Sequence, residues 1–121
     1  MKKSGRVVYM NGSFVDEKDA KVSIYDSALM FGDMVFEMTR SFNKKQFKLK
    51  EHIERLYLGL KILRIPVSLS QAEMENACYE TIERNEPFFE DSDEHRLMIN
   101  VSRGPLGIYA PIFDNALEAT V

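Results

Sequence analysis

The sequence predicts an α+β domain, a mostly antiparallel sheet with two helices on one face. Three observations carry that expectation. Tight turn signals join alternating segments in the first half, two helical stripes follow, and another alternating segment comes after them. Strands joined by hairpins, then helices, then strands do not make βαβ units, so an antiparallel sheet is expected.

Each element has a local reason. Arg6 to Met10 and Ser13 to Val15 flank Asn11-Gly12, a pair suited to a type I′ turn because both central positions need positive φ. Lys21 to Tyr25 alternates and predicts a short strand. Asp26 to Asp33, with Gly32 inside it, predicts a turn or a single helical turn. Met34 to Phe42 predicts a strand, and Asn43-Lys44-Lys45 returns it to Gln46-Phe47-Lys48-Leu49 as a second hairpin.

Two helices follow. Between Lys50 and Arg64, Ile53, Leu56, Leu60 and Leu63 recur at helical spacing. Pro66 ends that helix by pushing the residue before it out of the helical region. Ser70-Gln71-Ala72-Glu73 is a capping box that opens the next helix. Its inner face is expected to carry Met74, Cys78 and Ile82, with Ala77 and Thr81 beside them, and Asn85-Glu86-Pro87 stops it. Glu90 to Glu94 reads as an acidic, solvated turn. Arg96 to Ser102 predicts a strand, which Gly104-Pro105-Leu106-Gly107 breaks. Leu117 to Val121 is β-prone and has the character of an unfinished strand, so the expectation is one small domain, residues 1–121, cut at the boundary with a missing larger one.

Composition narrows the class of function. At 121 residues, 45% hydrophobic and 29% charged, the chain is one ordinary globular domain. The net charge of −3 and the lack of a basic stripe argue against nucleic acid. No segment is long and apolar enough for a membrane span or a signal peptide. The single Cys78 excludes an internal disulfide framework and fits a reducing compartment, so a cytoplasmic location is expected. His52, His95 and Cys78 lie too far apart in sequence to show metal-ligand spacing.

The strand from Met34 to Phe42 is the most informative stretch. One side reads Met34, Phe36, Met38, Arg40, Phe42. A guanidinium keeps its proton and is costly to desolvate alone. That side therefore either reaches solvent near Arg40 or lines a pocket that holds an anion.

At this point the residues resemble a family. Tyr9-Met10-Asn11-Gly12-Ser13-Phe14-Val15, Asp19-Ala20-Lys21-Val22-Ser23, Asp26-Ser27-Ala28-Leu29-Met30-Phe31-Gly32-Asp33 and Val35-Phe36-Glu37 are similar to the opening of class IV (fold-type IV) pyridoxal-phosphate aminotransferases. Phe47 to Leu56 resembles that family's signature helix, and Val101-Ser102-Arg103-Gly104 matches a further segment. The resemblance implies pyridoxal 5′-phosphate (PLP) as cofactor and exchange of an amino group between an amino acid and a 2-oxo acid. Arg55 would hold the cofactor phosphate, since a planar, permanently charged donor set suits it. From the residues alone, Arg55 would instead pair with Glu51 one helical turn earlier.

The resemblance also implies that Phe36, Met38 and Arg40 line the substrate side and that Arg96 lies near the substrate. Phe31 would reach the neighbouring subunit's pocket in a homodimer, or pack in the core. Met38 stands where branched-chain enzymes have glycine, and Glu94 replaces their nearby tyrosine. D-amino-acid enzymes have tyrosine at the Phe36 position and lysine at the Arg40 position, and their arginine–histidine pair would fall near Ile108 and Ala110, where both are lacking. A branched-chain or other apolar substrate is therefore expected. No lysine of this chain matches the Schiff-base lysine, so the catalytic set in this chain is empty and the chain alone is expected to be inactive. An aminodeoxychorismate lyase on the same scaffold and a free-standing interaction module are the alternatives.

Overall fold

The structure is a computed structural model that describes residues 5–108 and 119–121. Strands β1 (Val7–Met10) and β2 (Ser13–Asp16) form an antiparallel hairpin about Asn11-Gly12. Both turn residues have positive φ, 51° and 90°, as the turn chemistry requires. A one-turn helix, α1 (Ser27–Phe31), is capped by Asp26 and closed by Gly32 at φ 68°. Strand β3 (Met34–Phe42) lies at the centre of a second antiparallel sheet, between β4 (Lys45–Gln46) and β5 (Arg96–Ser102).

Two fifteen-residue helices, α2 (Leu49–Leu63) and α3 (Gln71–Asn85), complete the expected α+β architecture. Helix α2 packs on β3, while α3 packs on α2 and β1. The core is the seam between them: Leu49, Ile53, Leu56 and Leu60 from α2, Met74 and Cys78 from α3, and Ile99 and Val101 from β5. Each such side chain contributes roughly 1.5–3 kcal/mol by leaving water. Gly59 lets α2 lie close to the sheet, since a Cβ there would sit 3.0 Å from Val35 Cγ1. The Ser70–Glu73 capping box forms in both directions. Burial in this core pushes the Cys78 thiol up to about 11.

Arg103 ties the elements together. It donates to Asp33 (2.5 Å) and to the carbonyls of Leu63 (2.7 Å) and Arg64 (2.9 Å), the last acceptors of α2. Asp26, almost fully buried, accepts from Ala28 N–H, Ser102 Oγ and Thr120 Oγ1.

Two expectations need correction. Residues 20–23 have no regular structure, and Ile24-Tyr25 is a turn, so the alternation of Lys21 to Tyr25 does not become a strand. Alternation allows a strand, but a strand also needs a partner ladder. The second hairpin is shorter than expected. Strand β4 stops at Gln46, Lys48 turns left-handed at φ 55°, and Leu49 already begins α2, where it is buried in the core. Ala110, Leu117 and Glu118 lie outside the described residues.

Candidate active site

Strand β3 is turned inside out. Its side toward the helices carries Glu37, Thr39 and Ser41, all buried. Its apolar side is the open one, with Phe36 56% and Met38 43% exposed and Phe42 exposed beside them. Met98 on β5 stands opposite Met38 and extends the open apolar patch.

Every buried polar residue on the inner side of β3 has a partner, as buried polar groups require. Ser41 Oγ donates to Glu94 Oε2 (2.5 Å) and accepts from His95 N–H (2.7 Å). Thr39 Oγ1 donates to Gln46 Oε1 (2.6 Å). Glu37, only 7% exposed, receives three donors. Arg55 Nη2 and Nε reach its Oε1 at 2.7 and 2.9 Å, and His52 Nδ1 lies 2.7 Å from the same oxygen.

Burial pushes the Glu37 carboxyl up. Hydrogen bonds from Arg55 and His52 outweigh that and hold it below the ordinary carboxylate range. The spacing of His52 and Arg55, three positions on α2, puts both on one helix face above β3. The result is a guanidinium gripped along one edge by a buried carboxylate while 70% of its side chain remains exposed.

The structure thus places the predicted residues in two groups. Phe36, Met38 and Arg40 share the open face of β3, and Arg96 stands directly opposite Arg40 in the β3–β5 register. The Arg40 guanidinium rests over the Phe42 ring, 4.2 Å from its centroid. Two like charges directly opposite on a sheet destabilise it unless an anion lies between or near them. Arg55 stands on the helix side and joins this strand through Glu37, which separates Phe36 from Met38. Phe31 is strongly exposed on α1, an element that carries neither group.

The partner of Arg55 is Glu37, 18 positions away, and not Glu51. Glu37 and His52 were the site residues that sequence reasoning missed. The signal available was the i, i+3 spacing of His52 and Arg55 together with a carboxylate on the polar side of a strand. Arg103 is absorbed by the α2 terminus and Asp33. Glu94 serves the β3–β4 turn, and the Ser41 hydroxyl holds its carboxyl below the usual range.

Comparison with known proteins decides the family. The class IV amino-transferase family matches residues 34–121, which includes β3, α2, α3 and β5. The chain belongs to the class IV aminotransferases. Among these aminotransferases, a Methanocaldococcus jannaschii protein placed with the branched-chain-amino-acid enzymes is 50% identical over 78 residues, 64% of this chain and 27% of the relative. The Escherichia coli branched-chain-amino-acid aminotransferase is 37% identical over 87 residues, 69% of this chain and 28% of the relative.

In three dimensions the Escherichia coli branched-chain enzyme superposes with a TM-score of 0.79 at 28% identity, over 96% of this chain and 39% of that one. A second solved branched-chain amino acid aminotransferase, complexed with N-(5′-phosphopyridoxyl)-L-glutamate, gives 0.77 at 28% identity, over 96% of this chain and 39% of that one. The chain therefore spans little more than a quarter of the length of the curated relatives it matches.

Proposed function

We propose that this chain is the small N-terminal domain of a PLP-dependent aminotransferase that moves an amino group between an apolar amino acid, branched-chain in the first instance, and a 2-oxo acid. The observation that carries this reading is the open face of β3 and β5. Phe36, Met38 and Met98 make an apolar wall, and it ends at Arg40 and Arg96, which oppose each other in the strand register. An apolar side chain fits the wall, and a carboxylate fits between the two arginines.

The residues present fit the cofactor. Arg55 is permanently charged, largely exposed and held in orientation by Glu37, which suits a phosphate. When bound, PLP supplies the electron sink for amino-group chemistry. Within this chain, Arg55 anchors the phosphate, Glu37 fixes the Arg55 plane and lets His52 share the charge, and Phe36 and Met38 keep water from one wall. None of the chain's lysines is assigned to the cofactor, so the chain alone does not transaminate. The larger PLP-binding domain belongs to the rest of the polypeptide, and the whole enzyme is read as a cytoplasmic homodimer in which Phe31 reaches the partner subunit.

The test compares PLP with pyridoxal, which has no phosphate, on the complete enzyme. Arg55→Ala is expected to lower PLP affinity about a hundredfold, the equivalent of a lost charge-assisted pair, and to leave pyridoxal affinity unchanged. Unchanged PLP affinity, or equal loss for both compounds, contradicts the assignment.

A further inference from the structure

The open face of β3 ends in two rings that belong to no core. Phe42 stands on the same side as Arg40, two residues or roughly 7 Å further along the strand and away from Met38. Phe47 meets the Phe42 ring edge-on, with centroids 5.7 Å apart and planes at 83°. It is tied to β3 by its own N–H, which donates to the Arg40 carbonyl (2.9 Å). Both rings are exposed, so their burial adds little to the fold.

What the rings meet is charge. The Arg40 guanidinium carbon lies 4.2 Å from the Phe42 centroid, and Arg40 Nε donates to the Ser41 carbonyl (3.1 Å). The ring face and that carbonyl direct the side chain toward Phe42 and off the wall of Phe36 and Met38. Among the described residues no carboxylate pairs with Arg40, and no acceptor takes its Nη groups. The Glu94 carboxylate feels its charge but is taken by Ser41 Oγ and Lys44 N–H. Arg96, opposite in the register, adds a like charge. The terminal edge of the guanidinium is therefore open, and its two N–H groups match the two oxygens of a carboxylate.

On the reading of Arg40 as a substrate-side arginine, we propose that Phe42, braced by Phe47, is a positioning residue. It holds the guanidinium at the end of the apolar wall with its terminal edge toward a substrate carboxylate. An arginine left loose in solvent loses side-chain freedom when it grips an anion, and one already seated on a ring loses less. The same seat keeps the cation off Phe36, Met38 and Met98, so an apolar side chain meets no charge there. Loss of the ring thus weakens carboxylate binding and leaves the chemical step as it was.

The test measures KM and kcat of the complete enzyme with 2-oxoglutarate, which has two carboxylates, and with 2-oxoisocaproate, which has one. Phe42→Leu removes the ring but keeps an apolar side chain, and Phe42→Tyr keeps the ring. Phe42→Leu is expected to raise the KM for 2-oxoglutarate about fourfold at unchanged kcat, the equivalent of a lost exposed cation–π contact. Phe42→Tyr is expected to restore the original value. A rise shared by 2-oxoisocaproate assigns Arg40 to the carboxylate beside the oxo group, and a rise confined to 2-oxoglutarate assigns it to the side-chain carboxylate. Either supports the positioning role. Arg40→Ala separates that role from the role of Arg40 itself. If Arg40→Ala raises the KM for 2-oxoglutarate and Phe42→Leu does not, the positioning role is overturned and the reading of Arg40 stands. If Arg40→Ala leaves both KM values unchanged, the reading of Arg40 falls and the positioning role falls with it. A Phe42→Leu enzyme that loses kcat at unchanged KM, or a Phe42→Tyr enzyme that behaves like Phe42→Leu, also overturns the proposal.

Discussion

The two faces of the β3–β5 sheet obey opposite rules. The face against the helices takes Ile99 and Val101 from β5 and Val35 from the start of β3, and the rest of what β3 gives it, Glu37, Thr39 and Ser41, is polar. The open face takes Phe36, Met38 and Phe42 from β3 and Met98 from β5, all substantially exposed. A strand evolved only for folding would reverse β3, with the aromatic residues inward and Glu37, Thr39 and Ser41 outward. The sheet keeps its buried polar residues because each is paired, and it keeps its apolar residues outside because something else is to lie against them. On the proposed reading, stability and function are thus divided between the two sides of one strand.

Substitutions break or sharpen that division. The largest effect belongs to the inner side. Leu56→Ala, at a position with no exposure, should lower unfolding stability by about 3 kcal/mol or more in a urea titration. Ser41→Ala comes next. It strands the His95 N–H in a buried site and should cost about 2 kcal/mol in the same titration.

Acid reveals the third effect. The folded Glu37 carboxyl ionises below its unfolded value of 4.5, so its contribution is complete above that value and is lost as pH falls through the lower folded one. Glu37→Gln should flatten the acid limb of stability against pH below about 4.5. It should not abolish that limb, because the Ser41 hydroxyl on Glu94 and the His95 ring on Glu86 depress two more carboxyls. The smallest effect on stability belongs to the open face, where Phe36→Ser should change unfolding stability by no more than about 0.5 kcal/mol.

Much of this was legible in the sequence. The Asn11-Gly12 hairpin, the Ser70 capping box and β5 each depend on chemistry within a few residues, and each stands where the sequence predicts it. The alternation of β3 was legible too, but not which side is buried. Periodicity separates two faces without saying which one meets the helices. That choice depends on partners far away in sequence: His52 and Arg55 for Glu37, and Glu94 for Ser41. The opposition of Arg40 and Arg96 is a matter of register between strands that both long helices separate in the chain, and no local pattern encodes it. Lys21 to Tyr25 shows the reverse failure, an alternating segment that forms no strand ladder among the described residues.

The most direct test places one substitution on each face of β3 in the complete enzyme and measures both Tm and kcat/KM for transamination of a branched-chain amino acid. The division of labour predicts that Phe36→Ser keeps its Tm and loses kcat/KM, whereas Ser41→Ala loses Tm and keeps kcat/KM at temperatures where it is folded. A Phe36→Ser enzyme with a lowered Tm and full kcat/KM would contradict it, and would make the open face a matter of packing.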